Sequence, residues 1–159
     1  MTKIKKHFYT WNDVEKMVTN IITQMYNDNF RPEYIVGITR GGLTPAIMMS
    51  NRTGIPMKTL DVRLRDTNGL KGKPESNSNM ANDAKLGKKI LVVDDINDTG
   101  ATFNWIKDDW TYITTDSVIP GVKFAALTEN LGSDFGEVNY YAHEVNKEED
   151  PVWLVYPWE

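Results

Sequence analysis

At 159 residues, with 40% hydrophobic and 25% charged side chains, the chain has the make-up of one ordinary globular domain. A formal charge of -4 gives no electrostatic case for nucleic acid or an anionic membrane as partner. Cysteine is absent, which excludes disulfides and thiolate metal sites, and the two histidines, His7 and His143, are far apart in sequence. Any metal is therefore expected to be a hard ion on oxygen ligands.

The opening MTKIKKHFYTW is basic but lacks the apolar core of a signal peptide, so the cytoplasm is the default location. No apolar run reaches the roughly 20 residues that span a bilayer. The first element is a helix. Thr10 is followed three residues later by Asp13, a relative of the capping box. Val14, Met17, Val18, Ile21, Ile22 and Met25 then recur at three- and four-residue spacing, which makes one packing stripe. YIVGIT, Tyr34–Thr39, reads as a strand that ends at Arg40-Gly41-Gly42, and a helix is expected from Leu43 to Asn51. Met57–Arg63 is a further strand. Residues 64–88 are polar and aperiodic, so a long loop is expected there, either a functional lid or a disordered surface segment. A strand at 90–94 precedes a helix from about 100 to 114, whose Trp105 and Trp110 read as packing residues. Val122–Leu127 is the next strand. A turn at Gly132–Gly136 leads to Val138–Ala142, and Val152–Trp158 closes the chain. Strands alternate with helices, so the expectation is an α/β fold: a single domain over 1–159 with a mainly parallel central sheet flanked by helices.

The most informative segment is Ile90–Thr102, ILVVDDINDTGAT. Four apolar β-formers run into Asp94 and Asp95, where the carboxyl end of a strand would lie. Ligands of open α/β sheets bind at that edge. Two adjacent carboxylates repel unless hydroxyl donors or a cation offset them. A ribose diol and a Mg²⁺ could together do so. Asp98-Thr99-Gly100-Ala101-Thr102 then opens a helix, whose free backbone N–H groups suit a phosphate. The bland alternative is a solvated turn in which Asp95 or Asp98 merely caps the helix. The acidic strand of P-loop ATPases is a rival, but it needs a GxxxxGK[ST] loop. Gly69-Leu70-Lys71-Gly72-Lys73-Pro74 has the wrong spacing, and no Lys follows Gly41-Gly42.

This string resembles the phosphoribosyl-pyrophosphate (PRPP) motif of the type I phosphoribosyltransferases. ITRGGLTPA resembles the pyrophosphate loop of the purine branch. VWLVYPWE resembles the tail of its xanthine-guanine and hypoxanthine enzymes, and FYTWNDVEKMV resembles their opening. The resemblance implies the type I fold with a flexible hood at 64–88, Mg²⁺ as cofactor, and PRPP and a nucleobase as partners. It implies roles as well. Asp94 and Asp95 would bind the ribose hydroxyls and the Mg²⁺, directly or through water and PRPP. Asp98 would manage the proton at the purine N7, and Asp98, Thr99, Gly100, Ala101 and Thr102 would cradle the 5′-phosphate. Thr39, Arg40, Gly41 and Gly42 would meet the pyrophosphate, with Arg40 stabilising its departure, and the Thr39–Arg40 peptide can be cis. Trp153 would stack on the base, with the Leu154 backbone at its edge. A homodimer or homotetramer is the usual assembly of the family.

One departure stands out. The purine enzymes usually place a Lys just after the strand that ends here near Leu127, as donor to the base 6-oxo group. This chain has Thr128, Glu129 and Asn130 instead. Asn130 or Thr128 could substitute, since an amide both donates and accepts. Arg63 and Arg65 read either as phosphate contacts or as solvated charges. Two functions follow: transfer of phosphoribosyl from PRPP to a purine-like base, or PRPP sensing without catalysis. The presence of both Asp98 and Arg40 favours the enzyme.

Overall fold

The computed structural model describes residues 3–62, 78–114 and 119–159. Strand β1 (Lys5–Phe8) leads into helix α1 (Trp11–Asn27). The Thr10 hydroxyl accepts from the Asp13 N–H (3.0 Å) and the Asp13 carboxylate from the Thr10 N–H (2.8 Å), a complete capping box. The expected stripe is the buried face: Val14, Met17, Val18, Ile21 and Met25. Full burial contributes about 1.5–3 kcal/mol for each such side chain.

Strand β2 (Tyr34–Thr39) and helix α2 (Leu43–Thr53) follow as expected, and β3 (Met57–Asp61) completes the first half. The hood expectation for 64–88 divides in two. Positions 64–77, with Arg65, lie outside the described residues, as does Arg63. Ser78–Lys85 is not loop but helix α3, because Met80, Ala81 and Ala84 form a small apolar face that is buried. Strand β4 (Ile90–Asn97) runs three residues further than expected, and α4 (Ala101–Thr114) follows it. Strand β5 (Val122–Asn130) also outruns its expected end, since the polar Thr128, Glu129 and Asn130 are buried in it. β6 (Tyr140–Val145) and β7 (Val152–Val155) close the chain.

Five strands form one parallel sheet in the order β3-β2-β4-β5-β6, so the expected α/β class is borne out. The central β4 alternates its side chains between the faces. Ile90 and Val92 enter the core that α3 and α4 cover, and Leu91 and Val93 enter the core under α1 and α2. A second, two-stranded parallel sheet pairs β1 with β7, Lys5 opposite Val152 and Phe8 opposite Val155. All four residues of β1 are exposed, so no hydrophobic alternation announced the strand. No described helix is long and apolar enough to cross a membrane.

Candidate functional site

The site lies at the carboxyl edge of the large sheet, where β2 and β4 end side by side. Asp94 and Asp95 are half-buried there. Each carboxylate turns back on the chain: the Asp95 N–H donates to Asp94 Oδ1 and the Ile96 N–H to Asp95 Oδ1, both at 2.8 Å. Burial pushes Asp94 well above the usual carboxylate range, and repulsion from Asp95 adds to it. Burial also pushes Asp95 up, opposed by hydrogen bonding to Asp94 and to the Ile96 amide. The pair is thus held in a state that a cation or hydroxyl donors would relieve. Among the described residues no group of three or more acidic or histidine side chains could hold a metal alone. Two carboxylates suit a Mg²⁺ that keeps most of its shell as water and substrate oxygen.

Across from this edge, Arg40-Gly41-Gly42 precedes α2, and the Thr39–Arg40 peptide is cis. A side chain at Gly41 would run into the Asp95 carboxylate, which is why the two loops approach so closely. The start of α2 has no side-chain cap, and Thr39 Oγ1 is buried without a partner among the described residues. The start of α2 borders a cavity of about 700 Å³ that Arg40, Gly41, Asp95 and Trp158 help to line.

A smaller cavity of about 190 Å³ runs along Asp94 to Phe103, with Asp98, Thr99, Gly100, Ala101 and Thr102 in its wall. Gly100 takes φ +91°, a left-handed conformation that only glycine adopts without strain, and its Cα faces Phe135 N and Ser133 Oγ. The last residue of β5 and those just after it brace this turn from behind. Asn130 Nδ2 donates to the Asp98 carbonyl (2.9 Å) and the Asp134 N–H to the Thr99 carbonyl (2.9 Å). Beneath them Asn97, 3% exposed, donates to Glu129 Oε1, Ser133 Oγ and the Phe135 carbonyl. Asn130 therefore reaches the site through Asp98 rather than standing free.

The carboxylate of Asp98 itself meets Lys147, whose Nζ lies 3.1 Å from Oδ1. Sequence reasoning missed this residue. It lies in the charged run NKEED, which has the composition of a solvated turn, and no spacing connects it to Asp98.

The tail divides. Tyr156, 2% exposed, donates to the Asp95 carbonyl (2.9 Å) and shares a bond with the Thr128 hydroxyl (2.8 Å). It stacks on Trp158 at 4.9 Å and on Tyr9 at 4.9 Å. The Tyr9 hydroxyl meets Thr128 (3.0 Å) and His143 Nδ1 (2.5 Å). The two histidines are thus neighbours in space, with ring centroids 5.8 Å apart. Trp153 is 57% exposed and stands opposite Lys6 in the small sheet, whereas Leu154 is buried opposite His7. Trp158, not Trp153, lines the larger cavity in this structure.

An open parallel α/β fold with a ligand crevice at its carboxyl edge is the class that these features define. Residues 5–108 match the phosphoribosyl transferase domain family. A xanthine-guanine phosphoribosyltransferase of Cereibacter sphaeroides is 31% identical over 136 residues, covering 83% of this chain and 72% of the relative. Xanthine phosphoribosyltransferase 1 of Saccharomyces cerevisiae is 24% identical over 125 residues, covering 66% of this chain, which spans 60% of that relative's length. A purine phosphoribosyltransferase structure from Pyrococcus horikoshii superimposes with a TM-score of 0.69 at 23% identity, covering 97% of this chain and 94% of that one. The chain belongs to the phosphoribosyltransferase domain family and has its type I fold. The purine-branch resemblance is borne out by the names of these relatives.

Proposed function

We propose that the chain transfers the phosphoribosyl group of PRPP to a purine-like base, giving a nucleoside monophosphate and pyrophosphate. The observation that carries this reading is the pairing of two loops. The Asp94–Thr102 edge and the Thr39–Gly42 loop meet at glycine distance, the paired carboxylates on one and the Arg40 guanidinium and an unpartnered Thr39 hydroxyl on the other. A sugar with phosphates at both ends would bridge the two cavities that these loops line. The relatives named as xanthine and xanthine-guanine enzymes support the choice of base.

In this reading a base nitrogen attacks ribose C1 as the C1–O bond to pyrophosphate breaks. The pyrophosphate leaves with the electron pair, through an oxocarbenium-like state. Asp94 and Asp95 bind the ribose hydroxyls, and Asp98 accepts the proton that the base gives up at N7. Thr99, Gly100, Ala101 and Thr102 hold the 5′-phosphate at the start of α4. Thr39, Arg40, Gly41 and Gly42 hold the pyrophosphate, and the Arg40 guanidinium balances its growing charge. Asp94 and Asp95 are the residues that would hold Mg²⁺, which supplies further charge neutralisation at the phosphates. Trp153 stays the choice for stacking on the base. Its ring is exposed, while Tyr156 and Trp158 are committed to each other. Leu154 offers only backbone. A cytoplasmic location and a homodimer or homotetramer belong to the same reading and rest on the family resemblance.

The test is a panel of hypoxanthine, xanthine, guanine and adenine with PRPP and Mg²⁺, scored by pyrophosphate release. Turnover with one or more bases is expected, and removal of the divalent ion should abolish it. Silence across the panel refutes the reading.

A further inference from the structure

Lys147 stands in the turn after β6, and its contact with Asp98 is a built one. Its backbone N–H donates to Asn130 Oδ1 at 3.1 Å. The amide nitrogen of the same Asn130 donates to the Asp98 carbonyl at 2.9 Å and, more weakly, to its carboxylate at 3.4 Å. One side chain thus ties the backbone of Lys147 to that of Asp98. The Lys147 side chain is 24% exposed, whereas the surface pair Lys5–Asp150 is 64% and 70% exposed and has no such tether. An ammonium has three donors. Asp98 is its one ionic partner among the described residues, which leaves donors for a ligand.

The end of β5 offers no cation for this position, and its polar groups are already used. Thr128 serves Tyr9 and Tyr156, Glu129 accepts from Asn97, and Asn130 holds Asp98 and Lys147. The charge enters from the next strand instead.

We infer that Lys147 is the base-selecting cation of this site and favours a base with an oxygen beside the nitrogen that Asp98 serves. A 6-oxopurine carries the O6 acceptor beside N7 on one edge, whereas adenine presents an amino donor in place of the oxygen. An ammonium beside Asp98 is a good partner for the oxygen and a poor one for the amino group. The substrate class is then the 6-oxopurines. This rests on the role proposed above for Asp98.

The test reads recognition without turnover. Calorimetry measures binding of the monophosphates of hypoxanthine, guanine and adenine to the wild type, Lys147→Met and Lys147→Arg. Lys147→Met is expected to weaken the two 6-oxo nucleotides by roughly 10- to 100-fold and the adenine nucleotide by less than about threefold. Lys147→Arg should keep most of the discrimination. Equal weakening of all three nucleotides, or none, overturns the inference. Pyrophosphate release is scored in parallel. Its absence with every base refutes the transferase reading, while the nucleotide affinities still decide the role of Lys147.

Discussion

Replacing Asn97 with Ala tests whether the turn at Gly100 depends on a buried brace. Asn97 has two amide protons shared among Glu129 Oε1 (2.9 Å), Ser133 Oγ (2.8 Å) and the Phe135 carbonyl (3.1 Å). Loss of a bond to an ionised carboxylate costs about 1.5–3 kcal/mol and a neutral one about 1 kcal/mol, so roughly 2.5–4 kcal/mol is expected at about pH 8. The deficit should depend on pH. Burial pushes Glu129 up, and the Asn97 amide pulls it back. A carboxyl group whose folded pKa exceeds its unfolded one binds more protons when folded, so stability falls as pH rises between the two. Without Asn97 the folded value moves higher, and that fall continues to higher pH. The variant should therefore lose most at about pH 8 and clearly less near pH 4.5, because the upward shift of Glu129 brings its protonation in as pH falls and weakens the bond that the variant lacks. Urea unfolding at the two pH values measures this, and PRPP calorimetry should show weaker binding as Ser133 and Phe135 release the turn at Gly100. A deficit below about 1 kcal/mol at the higher pH, or one equal at both, would refute the reasoning.

Three further outcomes are expected. Asp98→Asn should lower turnover by about 100-fold or more while PRPP affinity changes less than about threefold, as separate kinetic and binding measurements would show. Asp94→Asn removes the repulsion with Asp95 but keeps an acceptor for the Asp95 N–H. The ligand-free protein should melt about 2–4 °C higher at neutral pH, while PRPP binding is lost. Trp153→Ala should raise the KM for the base by roughly 5- to 100-fold without changing that for PRPP, and an unchanged base KM would remove Trp153 from the base pocket.

Much of the fold was readable wherever burial wrote a period into the chain. The α1 stripe, β2 and the apolar half of β4 are such places. It was unreadable where burial and polarity disagree. Thr128, Glu129 and Asn130 look like a loop, yet they are buried strand because each has a partner that only the folded chain supplies. Helix α3 hid because its packing face is made of one Met and two Ala among polar neighbours. The acidic strand and the glycine turns of the site were visible because their chemistry needs neighbours in sequence. Lys147 was not, because its partners Asp98, just past β4, and Asn130, at the end of β5, meet it only in the folded chain.

The small sheet of β1 and β7 sets an order of assembly. Its two strands, Lys5–Phe8 and Val152–Val155, are far apart in sequence, so their pairing closes a long loop that contains the large sheet. Such closure is slow in an open chain and quick once the large sheet has drawn the ends together. β7 carries Trp153 and leads directly to Tyr156 and Trp158. The Asp94–Thr102 edge and the Thr39–Gly42 loop hang on the large sheet, whereas the small sheet is a separate closure. The tail closes with it, bringing the Tyr156 hydroxyl to the Asp95 carbonyl, so the acidic edge is completed only when these two strands meet.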